Sequence, residues 1–277
     1  MNLREPCLPP GWYPQQAEKT REFLAPFKQT GAAPAAIAPH AGWYYSGELA
    51  ALAISSLDPK AETVAVIGGH MPGGKPVLAA PEEGVKTPLG TKTIDRELLA
   101  EFGKRLSFVS DRYQDNTVEV LLPMVHYFFP RSQILWLRFP AELSSFEAGK
   151  TLAETAASIG RRIAVLASTD LTHYGANYAF SPKGRGKTAL EWVKNVNDAA
   201  IISAILEGDP GLVLKRAEED QSSCSAGAVL GALGFASVMG KTARLLKYGT
   251  SADSSGDNLQ QDVVPDSFVG YAAITFG

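Results

Sequence analysis

The chain has 277 residues, 45% hydrophobic and 20% charged, a globular composition that excludes disorder as the main state. Its 26 basic and 29 acidic side chains leave a formal charge of −3, which makes nucleic acid a poor first choice of partner. The longest apolar run, 226–239, is broken by glycines and falls short of the roughly 18 to 20 residues a membrane span needs.

Short β-rich runs alternate with helical patterns along the chain, which predicts an α/β layer architecture: one three-layer domain with a mixed, largely parallel central sheet flanked by helices. In chain order the pattern predicts a helix at 17–29, a strand at 35–38, a helix at 47–57 and a strand at 63–67. A helix at 95–104, a strand at 107–110, a helix at 117–129 and a strand at 133–137 come next. Then follow a helix at 146–159, a strand at 162–167, helices at 188–207, 210–219 and 225–239, and strands at 243–248 and 268–276. The last two strands are joined by a loop, so part of the sheet is expected to be antiparallel. Gly- and Pro-rich stretches at 71–90 and 181–186 read as surface loops. The opening residues carry no apolar leader, and two cysteines, Cys7 and Cys224, suit a reducing compartment, so a cytoplasmic protein is expected.

The informative residues are the four histidines. His40 follows the strand 35–38, His70 follows 63–67 and His173 follows 162–167, each in a loop of small residues. Ligands of open α/β sheets bind beyond the carboxyl ends of the strands. With these three strands parallel, three imidazoles meet at one edge of the sheet. A single loop histidine is ordinarily a structural residue, but three of four at strand ends point to a shared site. His126, among Met124, Tyr127 and Phe128 in a helical pattern, reads as packing or surface.

Cys224 opens a helical pattern, where the macrodipole stabilises a thiolate for metal binding or nucleophilic chemistry; its alternative is a buried, inert thiol. Asp170 lies three residues before His173 and has three readings: a metal ligand, a carboxylate that orients an imidazole, or a turn cap. Glu119 opens a helix and complements its dipole in the plain reading. Two imidazoles and one anion make a three-ligand metal site with open positions. A carboxylate as the third ligand is the non-haem Fe(II) signature, while a thiolate suits Fe(II), Cu(I) or Zn(II). A third histidine is then free to act as acid or base.

These segments, in this order, resemble the Memo family, the AmmeMemoRadiSam system protein B group. The resemblance rests on GWYP at 11–14, PHAGWYYSG at 39–47, GGH at 68–70 and STDLTHYG at 168–175, with CSAG at 224–227 and SFVGYAAITF at 267–276. It implies a fold similar to the class III extradiol dioxygenases, with a metal site at the sheet edge. By motif it makes His40, His70 and Cys224 the metal ligands, with Cys224 where the dioxygenases use a glutamate. His173 would then be the acid–base histidine, with Asp170 beside it. Fe(II) is the first metal to expect, with Cu or Zn as alternatives, and an AMMECR-type protein and a radical S-adenosylmethionine enzyme are the implied partners. The chain departs from the family pattern twice: Gly69-His70-Met71 stands where many members carry SHH, and 115–121 keeps only Glu119 of an EHS-x-E-x-H-like helix start.

Two functions follow from different classes. One is a metal-dependent oxidoreductase of the extradiol type. The other is a non-catalytic metal-binding or redox module that grips a small molecule, peptide or partner protein in a cleft flanked by Trp43, Tyr44, Tyr45 and Glu119. A zinc hydrolase is a distant third, because the chain has neither HExxH nor GxSxG, and it also lacks a P-loop and GxGxxG.

Overall fold

The computed structural model describes residues 2–253 and 264–277. The strands are β1 (Leu3–Arg4), β2 (Ala35–Ala38), β3 (Thr63–Gly68), β4 (Val77–Ala79), β5 (Gly84–Thr87), β6 (Gly90–Thr93), β7 (Phe108–Ser110), β8 (Gln133–Arg138), β9 (Ile163–Ser168), β10 (His173–Gly175), β11 (Ala243–Thr250) and β12 (Ser267–Phe276). The helices are α1 (Ala17–Leu24), α2 (Trp43–Ser55), α3 (Arg96–Arg105), α4 (Asn116–Glu119), α5 (Leu122–Phe128), α6 (Ser144–Ser158), α7 (Lys187–Trp192), α8 (Asp198–Glu207), α9 (Pro210–Glu219) and α10 (Ala226–Val238).

Nine strands form the central sheet, in the order β10-β12-β2-β9-β3-β8-β4-β7 with β11 paired to β12. Its middle, β2-β9-β3-β8, is parallel. These four strands are continuous apolar runs such as Thr63–Gly68, and almost every residue in them is buried, as expected of a sheet covered on both faces. Parallel pairing places the carboxyl ends of β2, β3 and β9 side by side. Antiparallel pairs flank this centre, β12 with β2 and β11 on one side and β4 with β8 on the other. A separate three-stranded sheet, β1-β5-β6, ties the N-terminal segment to the body.

α10 packs on β2, β3 and β9 and also against α6 and α9, which explains its uniformly apolar sequence. A Cβ at Gly234 would stand 1.9 Å from the Phe146 carbonyl oxygen on α6, so glycine is what lets these helices approach so closely. α2 packs on β2 and β12 and against α5. Among the described residues no helix is long and apolar enough to cross a membrane.

Several predicted elements change shape. The helix expected at 17–29 stops at Leu24, because Pro26 has no N–H to continue the ladder. The helix expected at 117–129 is two, α4 and α5, since Pro123 has no N–H to continue the ladder. The helix expected at 188–207 is interrupted by a π-helical turn at Val193–Asn197. The stretch 71–90, expected to be a surface loop, contains the buried strand β4 and the central strand β5 of the small sheet. α2 begins at Trp43, four residues before the expected start at 47, and this rearranges the aromatic residues at its entrance.

Candidate metal centre

His40 leaves the end of β2 and is fully buried. Its backbone N–H donates to Asp170 Oδ1 at 2.7 Å, and its Nδ1 lies 2.9 Å from Ser168 Oγ at the end of β9. The ring is therefore fixed with Nε2 facing Cys224 Sγ, 3.3 Å away. His70 leaves the end of β3 with φ at +56°, a left-handed conformation that costs a non-glycine residue roughly 1–2 kcal/mol. Its backbone N–H reaches Ser225 Oγ at 3.3 Å. The rings of His40 and His70 meet edge to face, with centroids 4.9 Å apart.

Cys224 precedes α10, and its Sγ accepts the Asp170 backbone N–H at 3.3 Å. One ligand-capable atom from each of His40, His70 and Cys224 lies within 4.8 Å of the others. Three segments far apart in the chain supply them: two at the ends of parallel strands and one at a helix start. Glycine makes the approach possible, since a Cβ at Gly69 would lie 2.4 Å from Ser225 Cβ.

His173 and Asp170 sit beside this trio. Asp170 is buried, with Oδ2 3.8 Å from both His40 Nε2 and His173 Nε2. His173 opens β10, which pairs with β12, and its ring lies 4.9 Å from that of Tyr178. Its Nε2 is buried with no hydrogen-bond partner.

The charges explain one another. Burial opposes the Cys224 thiolate, but the charge of His40 and the close approach of the His173, His40 and His70 rings carry the thiol well below its ordinary value. Burial likewise opposes charge on His70, yet Asp115 and Cys224 lift it to about 10. The same competition, with Asp170 and Cys224 as partners, lifts His173 to about 10. The trio is thus a thiolate matched to imidazole donors, and such a soft–borderline set fits iron, copper or zinc and not a hard cation such as magnesium.

A cleft of about 670 Å³ opens above the trio, walled by Trp12, Tyr45, Tyr178 and Tyr271, with Asn116, Asn177 and Ser251 at its polar positions. A smaller cavity of about 340 Å³ reaches Cys224 past His173 and Tyr178.

Of the three aromatic residues expected at the cleft, Tyr45 lines it. Tyr44 is 71% exposed, and Trp43 is buried with Nε1 donating to the Val120 carbonyl at 2.9 Å. Successive residues of a helix turn by about 100°, so once α2 begins at Trp43 the three side chains fan out in different directions. Trp43 and Tyr44 instead line a neighbouring cavity of about 530 Å³ that shares Tyr45 and Tyr271 with the cleft. Glu119, also expected at the cleft, is buried elsewhere. It accepts from Cys7 N (2.9 Å), Cys7 Sγ (2.8 Å), Leu8 N (3.0 Å) and Tyr13 Oη (2.9 Å). It anchors the N-terminal segment whose Pro10, Gly11 and Trp12 form a wall of the cleft. His126 is a packing residue, with Nδ1 2.7 Å from Thr87 Oγ1.

Sequence reasoning missed Asp115, whose Oδ2 lies 3.1 Å from His70 Nδ1, and Arg138, buried at the end of β8 and bonded to Asp115 and Gly69. An arginine closing an otherwise apolar strand was the available signal for the second. Nothing local marks the first.

An α/β protein with two imidazoles and a thiolate converging at the carboxyl edge of its parallel strands is the class that fold and site define. Residues 4–275 match the family described as Memo-like protein, and the chain belongs to the Memo family. It is 31% identical to a MEMO1 family protein of Pyrococcus abyssi over 98% of both chains. It is 32% identical to one of Methanosarcina mazei over 99% of both. To one of Methanosarcina barkeri it is 34% identical, over 86% of this chain and 84% of that one.

Proposed function

We propose that the chain binds one divalent or redox metal ion, iron before copper or zinc, through His40, His70 and Cys224, and with iron or copper bound acts as an oxidoreductase on a small organic substrate in the cleft above. The observation that carries this reading is the convergence of the three donor atoms within 4.8 Å. Bound there, iron or copper would supply Lewis acidity and one-electron chemistry. The chain's own residues supply the rest. His173, with an unpartnered Nε2, holds or moves a proton at that atom. Asp170 takes the His40 backbone N–H at 2.7 Å and keeps a carboxylate between His40 and His173. Trp12, Tyr45, Tyr178 and Tyr271 exclude water and offer ring faces to a planar or apolar group.

The test is metal content by mass spectrometry on protein purified anaerobically, wild type beside His40→Ala and Cys224→Ser. Near-stoichiometric iron or copper, lost in both variants, supports the site, and oxygen uptake with a phenol and catechol panel then tests the oxidoreductase activity. Metal that ignores both substitutions refutes the ligand set. Bound metal with no oxygen uptake refutes the enzyme and leaves a metal-binding module. The AMMECR-type protein and the radical S-adenosylmethionine enzyme are proposed as its partners, to be tested by co-purification from cells that make all three.

A further inference from the structure

The two imidazoles are held in different ways. His40 is fully buried and braced by Ser168. The His70 side chain is one-third exposed and sits on a loop of two glycines with a left-handed backbone at its own position, so packing alone does not orient its ring. The ring meets that of His40 edge to face, and the side chain that hydrogen-bonds to it is Asp115, with Oδ2 3.1 Å from Nδ1. Asp115 is itself committed. Its Oδ1 takes the Thr117 N–H at 2.9 Å and the Thr117 hydroxyl, and Thr117 Oγ1 accepts the Gly69 N–H at 3.3 Å. Its Oδ2 lies 3.3 Å from Arg138 Nη2. Arg138 also donates from Nε and Nη2 to the carbonyl of Gly69, at 3.0 and 2.9 Å, the residue directly before His70. Behind Arg138 stands Asp111, 3.6 Å from Nη1, which accepts the Trp136 indole N–H at 2.9 Å.

We infer that Asp115, clamped by Arg138, is the positioning residue of the metal centre: it engages Nδ1 of His70 and so presents Nε2 as the ligand, while Arg138 fixes the backbone on which His70 stands. The inference rests on the metal-site reading above and adds how one ligand is aimed. Carboxylates hydrogen-bonded to ligating histidines set ring orientation and donor strength, and their loss typically weakens metal binding by about 10- to 100-fold. The bland alternative is that Asp115 and Arg138 are a buried ion pair that only stabilises the fold.

The experiment is zinc affinity by chelator competition, zinc being redox-silent, for wild type, Asp115→Asn, Asp115→Glu, His70→Ala and the double variant His70→Ala with Asp115→Asn. Asp115→Asn is expected to bind zinc about 10- to 100-fold more weakly with unchanged stoichiometry. Asp115→Glu is expected to recover most of the loss. In the His70→Ala background Asp115→Asn should cost nothing further, because a residue that acts through His70 has lost its object. A crystal structure of metal-free Asp115→Asn should show the His70 ring turned away from Cys224. Wild-type affinity in Asp115→Asn, or an undiminished effect in the His70→Ala background, overturns the inference. Failure of the metal reading itself looks different: wild type binds no zinc, or binds it equally in His40→Ala. In that event the crystal structure decides alone, and a ring held in place without the carboxylate refutes the positioning role.

Discussion

Replacing Gly69 by alanine tests whether the site depends on close approach of two loops. The added Cβ would stand 2.4 Å from Ser225 Cβ, 2.6 Å from Ser225 Oγ and 2.7 Å from Ser225 Cα. Carbon atoms not bonded to each other settle at about 3.5–4.0 Å, so one loop must move by about 1 Å. Ser225 is buried and cannot swing aside as a surface side chain would. Residues on the two sides of the contact are ligands, His70 next to Gly69 and Cys224 next to Ser225, so the displacement falls on the trio itself. Overpacking of this kind costs about 1–3 kcal/mol, and the expected loss of zinc affinity is at least about tenfold. Gly74→Ala is the control. Its φ of +74° is unfavourable to alanine, but a Cβ there meets nothing within 4 Å, so it should lose about 1–2 kcal/mol of stability and keep full metal affinity. Denaturant unfolding and chelator competition on both variants give the two numbers. Wild-type affinity in Gly69→Ala refutes the idea that loop approach builds the site.

Asp198 is fully buried behind β10 and accepts from Thr172 N at 3.0 Å, the Thr172 hydroxyl and Tyr248 Oη at 2.7 Å. Burial outweighs these bonds and lifts its carboxyl from 3.8 to about 6. The native state therefore holds this proton more tightly than the unfolded chain, so stability is highest below pH 4 for this group and falls as pH rises to about 6. The difference of 6 − 3.8 amounts to about 3 kcal/mol. Asp198→Asn should flatten that part of the stability–pH curve, and an identical slope in the variant counts against the reasoning. Glu119→Gln replaces an acceptor of four donors with an amide that can satisfy about half of them. With bonds to a charged acceptor at roughly 1.5–3 kcal/mol each, a loss of about 3 kcal/mol is expected, together with faster proteolysis of residues 5–16. Equal cleavage rates would show that the N-terminal wall of the cleft is held by other contacts.

The order of elements and the position of the histidines could be read from residues alone. Buried parallel strands are runs of apolar residues bounded by turn-formers, and Thr63–Gly68 and Ile163–Ser168 announce themselves by that pattern without any knowledge of their neighbours. With those strands parallel, the positions of His40, His70 and His173 just beyond them put all three at one edge, and the motifs add Cys224. These inferences need only local pattern and the geometry of parallel pairing.

Other features were decided by residues far apart in sequence. Asp115 and His70 are 45 residues apart, and nothing in either neighbourhood states that one aims the other. The family's helix-start motif puts Glu119 at the cleft; the N-terminal segment folding over it makes it an anchor instead. Trp43 left the cleft because α2 begins one turn early, and the start of a helix depends on what its first turn packs against. A side chain's direction, and so whether it meets a substrate, a ligand or the core, is set by tertiary packing, whereas the strand that carries it is set by the period of its own residues.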